Sequence, residues 1–322
     1  METRPLCFSV IIPTYNRPKQ LVQCLHAIRQ TAYPRSGFEV LVVDDGSREP
    51  LEEIVTAFRD SISITFIKQN HAGPSAARNR GAKQAQGQYL IFTDDDCLPQ
   101  ADWMEKLEQR FKQTKDCIIG GKTLNHLKHN PYASASQMII DVVYAYYNAD
   151  PSRAVFFASN NLALPKDLFF QSGGFEESFT AAEDREFCDR WRGQRLKMIY
   201  APEVIIYHAH PLNLRRLWKQ HFVYGQGAFR FHQKRARQKS GRFEVDFSFY
   251  RKFFQAPFTN HNYSTPAWIL FALLCFAQIA VTAGFFWEGF KFWFTGKGFR
   301  KTHVKSQNWN SGLRTDCAAR TP

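Results

Sequence analysis

Short apolar runs alternate with helical segments through the first 95 residues, and this alternation limits the possible folds more than any other feature. The pattern predicts βαβ units and a mostly parallel sheet. In such sheets ligands bind beyond the carboxyl ends of the strands. The predicted strands are Phe8–Ile12, Phe38–Val43, Ile62–Ile67 and Gln88–Thr93, and the predicted helices are Lys19–Thr31, Leu51–Phe58 and Ser75–Gln86.

Polar clusters directly follow three of these strands: Thr14 to Arg17, Asp44 and Asp45, and Asp94 to Asp96. Three adjacent carboxylates repel one another, so a fold that gathers them at the end of a buried strand needs a positive partner there. Oxygen ligands favour a hard divalent cation such as Mg²⁺ or Mn²⁺. The sequence has neither Gly-x-Gly-x-x-Gly nor a Gly-Lys-Ser/Thr phosphate loop, which argues against a Rossmann dehydrogenase or a P-loop enzyme.

The positive charge lies in the C-terminal third. Of a net charge of +13, residues 209–261 carry +9 and residues 288–322 carry +5, which leaves about −1 for the remainder. Aromatic side chains are interleaved with the basic residues before residue 262, as is typical of a segment on an anionic membrane surface. Nucleic acid binding is not expected because no recognition motif accompanies these charges.

A charge-free run separates the two basic blocks. Its core, Ala267–Trp287, is 21 residues long and has Trp268 and Trp287 near its ends. A bilayer core needs about 20 helical residues, and tryptophans favour its two interfaces. We expect a transmembrane or re-entrant helix, with a buried core helix as the alternative. Both flanks are basic, so the positive-inside rule does not choose an orientation.

These features predict four segments: a catalytic domain (1–230), a basic-aromatic membrane-surface segment (231–262), a transmembrane or re-entrant helix (263–290) and a basic, disordered tail (291–322). The seven cysteines show no Cys-x-x-Cys spacing, which favours a reducing compartment. No signal-peptide pattern precedes the first strand. We therefore expect a protein of the cell membrane with its catalytic domain on the cytoplasmic side.

The order of the motifs over residues 7–227 resembles glycosyltransferase family 2. The resemblance implies the GT-A fold, an α/β nucleotide-diphospho-sugar transferase fold, and inverting sugar transfer from a nucleotide donor. The motifs are Val10–Arg17, Val42–Ser47, Gly73–Asn79, Asp94–Asp96, Ala158–Leu164, Gly173–Glu177 and Ala182–Phe187.

The same resemblance implies roles for individual residues. Asp184 would be the general base and Glu183 would position it. Asp96, Asp94 and His208 would hold Mn²⁺ or Mg²⁺, with His210 the less favoured alternative to His208. The residues implied to bind the nucleotide sugar are Pro13, Thr14, Tyr15, Asn16, Arg17, Asp44, Asp45, Arg78, Asp94, Asp95 and Asn161.

The sequence departs from the processive members of the family in two features, and these favour a non-processive enzyme. Arg190-Trp191 reads as part of the helix that begins near Glu183, rather than as a Gln-x-x-Arg-Trp motif, and one span at most is present. We expect the addition of single sugars, from UDP-sugars first of all, to a lipid-linked or glycan acceptor. The segment Leu217–Gly227 resembles a closing helix with a glycine turn. The alternatives are a sugar-1-phosphate nucleotidylyltransferase and a catalytically silent membrane scaffold.

Overall fold

The computed structural model describes residues 7–241 and 244–295. Within these ranges the strands form one eight-stranded sheet in the order β3-β2-β1-β4-β7-β6-β8-β5. The strands are β1 (Phe8–Thr14), β2 (Phe38–Asp44), β3 (Ile64–Lys68), β4 (Tyr89–Phe92), β5 (Cys97–Pro99), β6 (Cys117–Asn125), β7 (Leu162–Pro165) and β8 (Lys197–His208).

Helices connect the strands, and three further helices follow the sheet. They are α1 (Pro18–Arg29), α2 (Glu52–Thr56), α3 (Pro74–Gln84), α4 (Trp103–Gln113), α5 (Pro131–Tyr147), α6 (Lys166–Gln171), α7 (Glu183–Gly193), α8 (Leu214–Arg237), α9 (Phe247–Thr259) and α10 (Ala267–Thr295).

The alternating pattern of the N-terminal region is confirmed. Strands β1 to β4 are parallel, and their apolar side chains are buried between helices on both faces of the sheet. Thr14 at the end of β1 lies opposite Asp44 at the end of β2. The predicted polar clusters therefore share one edge of the sheet. The observed boundaries differ from the predicted ones by a few residues at most.

The sheet changes direction beside the acid triplet. β7 pairs antiparallel with β4 and with β6, while β6 runs parallel to β8. The short strand β5, which follows the triplet, pairs antiparallel with the end of β8. The second half of the chain is thereby brought to the edge formed by β1, β2 and β4. The mixed sheet with flanking helices has the predicted α/β architecture.

The C-terminal part differs from the prediction at two points. The predicted glycine turn at the end of Leu217–Gly227 is wrong, because α8 continues through both glycines and across the predicted domain boundary at residue 230. Gly225 and Gly227 instead allow other backbone segments to approach the helix closely. The predicted helix over 263–290 is observed as α10, which continues to Thr295. Residues 291–295, predicted to belong to the disordered tail, are therefore helical, because the apolar aromatic side chains among them continue the pattern of the helix; residues 296–322 of that predicted tail lie outside the described ranges.

Candidate active site

The acid triplet forms the tight turn between β4 and β5. Cys97 N donates to Asp94 O at 3.1 Å and closes this turn. In the antiparallel pair of β5 and β8, Cys97 lies opposite His208. Ala209 N also donates to Asp96 O at 2.8 Å. These backbone bonds place the end of β8 beside the third acid.

A cluster of three candidate metal ligands results from this pairing. The ligand atoms of Asp96, His208 and His210 all lie within 4.8 Å of one another. His208 Nε2 is 3.1 Å from Asp96 Oδ1, yet this buried oxygen has no hydrogen bond of suitable geometry within the described residues. One carboxylate and two imidazoles form a donor set that suits a first-row divalent ion. The residues present therefore fit a divalent cation.

The protonation states of Asp96 and His210 suit a cation, whereas Asp96 raises the pKa of His208, so a metal bound there would displace a proton from His208. Burial opposes a charge on Asp96, but the neighbouring His208 and Arg17 outweigh burial and hold the pKa of Asp96 below its usual range. Burial lowers the pKa of His210 to about 4. A neutral imidazole and an ionised carboxylate are the forms that bind metal.

Arg17 lies across the second and third acids. Its Nη1 atom is 3.0 Å from both Asp95 Oδ1 and Asp96 Oδ2, and Thr14 Oγ1 donates to Asp95 Oδ2 at 2.8 Å. Burial raises the pKa of Asp95 to about 7, although Arg17 opposes this rise. The Arg17 side chain remains 42% exposed, so its guanidinium is accessible to an anionic ligand at the sheet edge.

Arg78 joins the triplet to the second half of the site. This residue is only 4% exposed. Its Nη2 donates to Asp94 Oδ1 at 2.7 Å and its Nη1 donates to Glu183 Oε1 at 2.9 Å. One guanidinium thus holds together two carboxylates from segments about 90 residues apart in sequence. Asp94, the predicted second metal ligand, is paired with Arg78 in this structure.

Asp184 lies in the first turn of α7, next to Glu183. Its Oδ1 accepts a hydrogen bond from Arg185 N at 2.7 Å. Burial, with the adjacent Glu183 charge, raises the pKa of Asp184 above its usual range. A carboxyl group with a raised pKa is a better proton acceptor once ionised. Ala182, immediately before α7, has φ of 65°, a left-handed conformation that is often found at functional sites.

An aromatic pair lies beyond the ends of β1 and β3. The Tyr15 and His71 rings are stacked, with their centroids 4.3 Å apart. Tyr15 is 40% exposed, so its ring is accessible to a planar ligand. The sequence interpretation missed His71. The position of His71 after β3 was an available signal, because the end of every parallel strand reaches the ligand-binding edge.

Asp45 organises the loop that contains His71. Its Oδ1 accepts hydrogen bonds from Gln69 Nε2 at 2.7 Å and Ala72 N at 2.8 Å, and its Oδ2 accepts from Gly73 N at 2.8 Å. The carboxylate is buried. His71 Nδ1 also lies 2.9 Å from Asp45 Oδ2, so the four acceptor positions of the carboxylate are taken, and the predicted binding of the nucleotide sugar to Asp45 requires one of these contacts to open.

The remaining predicted residues have structural contacts. Asp44 Oδ1 accepts from Ser47 N at 2.9 Å, and Asn16 Oδ1 accepts from Arg48 N at 2.9 Å. Pro13 is a half-buried residue of β1. These contacts shape the loops at the sheet edge.

Asn161 has a different structural role from these residues at the sheet edge. Its Oδ1 accepts from Trp103 Nε1 at 3.0 Å, and its Nδ2 donates to Val204 O at 3.0 Å and to Lys122 O at 3.2 Å. Because the amide is buried and fully hydrogen bonded, Asn161 stabilises the junction between strands. Its predicted contact with the sugar would require these bonds to break.

Fold and site together define a nucleotide-sugar transferase of the GT-A class. The family model "Glycosyl transferase family 2" matches residues 9–176. The chain belongs to this family. The glycosyltransferase AglE of Haloferax volcanii is 30% identical over 223 residues, which cover 68% of this chain and 72% of AglE.

Other similar proteins share the fold or part of the sequence. Chondroitin synthase of Escherichia coli is 28% identical over 240 residues, covering 63% of this chain but 34% of the synthase. The mannosyltransferase PcManGT of Pyrobaculum calidifontis, solved with GDP-Man and Mn²⁺, has a TM-score of 0.63 at 17% identity, covering 89% of this chain and 90% of PcManGT. Staphylococcus aureus TarS 1–349 with UDP-GlcNAc has a TM-score of 0.52 at 17% identity, with coverages of 92% and 93%. These structural likenesses confirm the fold.

Proposed function

We propose that this glycosyltransferase is inverting, metal-dependent and non-processive, and that it moves a sugar from a UDP-sugar to a hydroxyl group of a lipid-linked or glycan acceptor. The main observation in support of the proposal is the pair of hydrogen bonds that Arg78 donates. It holds Asp94 of the acid triplet and Glu183, the neighbour of Asp184, within hydrogen-bond distance of one guanidinium. Donor-binding acids and a candidate base therefore belong to one site.

The donor half uses stacking, hydrogen bonding and positive charge. Tyr15 would stack on the base, and Arg17 would contact the diphosphate when it moves away from Asp95. Asp96, His208 and His210 would hold Mn²⁺ or Mg²⁺, which would neutralise charge on the departing nucleoside diphosphate. The titles of neighbouring structures name UDP-GlcNAc and GDP-Man as bound donors, which supports a nucleotide-sugar donor here.

The acceptor half requires a base. In an inverting transfer the acceptor hydroxyl attacks the anomeric carbon from the face opposite the leaving group, and its proton must be removed. Asp184 would accept this proton at a carboxylate oxygen. Glu183 would hold Arg78 and thereby fix the start of α7. The raised pKa of Asp184 supports this assignment.

Membrane association and a cytoplasmic catalytic domain complete the proposal. Within the described residues, α10 is the one helix long and apolar enough to cross a membrane, and the positive charge of residues 209–261 suits an anionic surface.

The test is nucleoside diphosphate release from UDP-, GDP- and dTDP-sugars by the purified full-length chain with Mn²⁺ or Mg²⁺. We expect release from one donor, loss of release with a chelator or in Asp96→Asn, and loss of transfer to acceptor in Asp184→Asn. Asp189→Asn is the matched control, because Asp189 lies on the same helix and contacts Arg235. Release without metal, or full transfer by Asp184→Asn, would contradict the proposal.

A further inference from the structure

Helix α10 is apolar on two opposite faces. One face is buried against the protein and includes Leu270, Leu274, Ala277 and Ala280. The opposite face is exposed along the length of the helix, where a soluble protein would carry polar side chains. Its exposed apolar residues are Trp268 (69%), Phe271 (37%), Ile279 (60%), Phe286 (68%), Phe290 (54%) and Trp293 (83%).

The buried face of α10 packs along α8 in the same direction. Near its beginning α10 contacts α8 through the rings of Phe276 and Trp218, whose centroids are 5.2 Å apart. Further along, Phe285 and Phe229 have ring centroids 5.3 Å apart. A Cβ atom on Gly284 would lie 1.9 Å from Phe222 O, so the two backbones are in close contact. The pair is parallel over most of both helices.

A buried acid fixes this packing near the end of α10. Glu288 is 8% exposed. Its Oε1 accepts from Arg230 Nε at 2.7 Å, and its Oε2 accepts from Gln226 Nε2 at 3.0 Å. Arg230 Nη1 also donates to Ser178 O at 3.1 Å, in the loop that leads to α7. Separating α10 from α8 would leave a carboxylate and a guanidinium without their partners, which is costly.

The positive charges of α8 limit how α10 can associate with a bilayer. α8 carries seven Lys or Arg residues, three in its first six positions and four in its last eight. The ten positions between these clusters span only about 15 Å of helix, which is shorter than a hydrocarbon core of about 30 Å. Cations at the centre of a bilayer are strongly disfavoured. If α10 crossed the membrane with α8 attached, these cations would be carried into the hydrocarbon. The packed pair can place the exposed face of α10 against a membrane surface at no such cost.

Helix α9 extends the same apolar surface and adds charge. Phe247 and Phe258 of α9 are 80% and 54% exposed. A groove of about 450 Å³ between α9 and α10 is lined by residues that include Phe254 and Ile279. Arg251 and Lys252 are also exposed on α9. An apolar face with adjacent cations is complementary to an anionic lipid leaflet.

We propose that α9 and α10 lie in the plane of one anionic leaflet and that α10 does not cross the bilayer. The inference rests on the membrane association within the proposed function and specifies its geometry. The occupant of the exposed apolar face is the boundary between lipid headgroups and acyl chains. The catalytic domain is thereby held against one side of the membrane through α8.

Depth-dependent fluorescence quenching tests this geometry. The full-length chain is bound to vesicles of equal parts phosphatidylcholine and phosphatidylglycerol, with bromines near either the glycerol end or the methyl end of the acyl chains. The quenching of the tryptophan at position 268, 293 or 279 is obtained as the difference in quenching between the unaltered chain and one variant. Trp268→Phe and Trp293→Phe remove a tryptophan, and Ile279→Trp adds one. Trp218→Phe is the control, because Trp218 belongs to α8 and packs against α10.

An in-plane helix predicts that all three positions are quenched best by the bromines near the glycerol end. A spanning helix predicts deep quenching at position 279 and shallow quenching at 268 and 293, which would overturn the inference while leaving membrane binding intact. Absence of vesicle binding, with a concentration-dependent dimer in solution, would assign the face to a second copy and also overturn it. Nucleoside diphosphate release, measured in parallel, tests the proposed chemistry separately.

The charge contribution is tested by vesicle affinity. We expect Arg251→Gln and Lys252→Gln each to weaken binding to anionic vesicles about fivefold and to leave binding to pure phosphatidylcholine unchanged. Lys83→Gln, at an exposed position of α3, is the matched control. Equal affinities of all three variants for anionic vesicles would contradict the charge complementarity.

Discussion

Replacing Arg78 with methionine tests the contact on which the site depends. Arg78 is buried, and its guanidinium donates to Asp94 at 2.7 Å and to Glu183 at 2.9 Å. Methionine fills a similar apolar volume but removes both charge-assisted hydrogen bonds. The substitution leaves two carboxylates at the centre of the site without their cation.

The size of the effect follows from how far water can replace the lost partner. Removing one member of a buried ion pair costs about 3–5 kcal/mol. The side chain of Glu183 is 10% exposed and that of Asp94 is 30% exposed, so water can hydrate Asp94 in part. We therefore expect Arg78→Met to lower the free energy of unfolding by about 3 kcal/mol, near the lower end of that range.

Arg78→Lys separates charge from geometry. Lysine retains the positive charge, but its single ammonium group lacks the planar fork that reaches both carboxylates. We expect this variant to lose about 1–2 kcal/mol, less than the methionine variant. Arg80→Met is the matched control, because Arg80 is exposed on the same helix, and surface substitutions usually change stability by less than about 0.5 kcal/mol.

The assay is urea unfolding in a mild detergent, followed by far-ultraviolet circular dichroism, for Arg78→Met, Glu183→Gln and the double variant. Because the two side chains are in direct contact, we expect a coupling energy above about 1 kcal/mol. A loss below about 1 kcal/mol for Arg78→Met, or additive effects in the double variant, would refute the reasoning.

Three further predictions concern the chemistry. Activity should rise with pH through the raised pKa of Asp184, because the base must be ionised. Glu183→Gln removes a like charge next to Asp184, so the acidic limb of the pH–rate profile should move to lower pH. If this limb does not move, it belongs to another group. A Cβ on Gly227 would lie 2.5 Å from Ala181 O, so Gly227→Ala should shift the loop before α7 and lower kcat by about tenfold or more in steady-state assays; unchanged kcat would show that this contact is dispensable. His210→Ala should weaken Mn²⁺ binding by about 10-fold or more in calorimetry, whereas unchanged affinity would exclude His210 as a ligand.

The sequence predicted where the site lies in the fold better than it predicted which residues contact one another within the site. Strand patterning and the rule that ligands bind at the carboxyl ends of parallel strands placed Thr14, Asp44 and Asp94 at one edge, and the structure agrees. The pattern of apolar residues shows which segments are buried strands, and therefore where each strand ends. It predicted the ligand-binding edge of the sheet, but it contains no information about which side chains contact one another there.

Contacts that depend on side-chain direction could not be predicted. The stacking of His71 on Tyr15 and the loop hydrogen bonds of Asp45 arise because β3 lies next to β2 in the sheet, and strand order is not encoded in a local pattern. Asn161 fits the family motif in sequence, yet tertiary packing directs its amide to Trp103 and backbone carbonyls. Recognising a motif does not establish where a side chain points.

The two glycines of α8 show how tertiary packing changes the meaning of a motif. In isolation, Gly225 and Gly227 resemble a turn. In the structure, a Cβ on Gly225 would lie 2.0 Å from Val281 O of α10, and one on Gly227 would lie 2.5 Å from Ala181 O of the loop before α7. One helix therefore contacts both the exposed apolar helix and the segment that leads to Asp184. If α10 lies in one leaflet as proposed, α8 sets the height of Asp184 above the membrane, and the acceptor hydroxyl must be presented at that height.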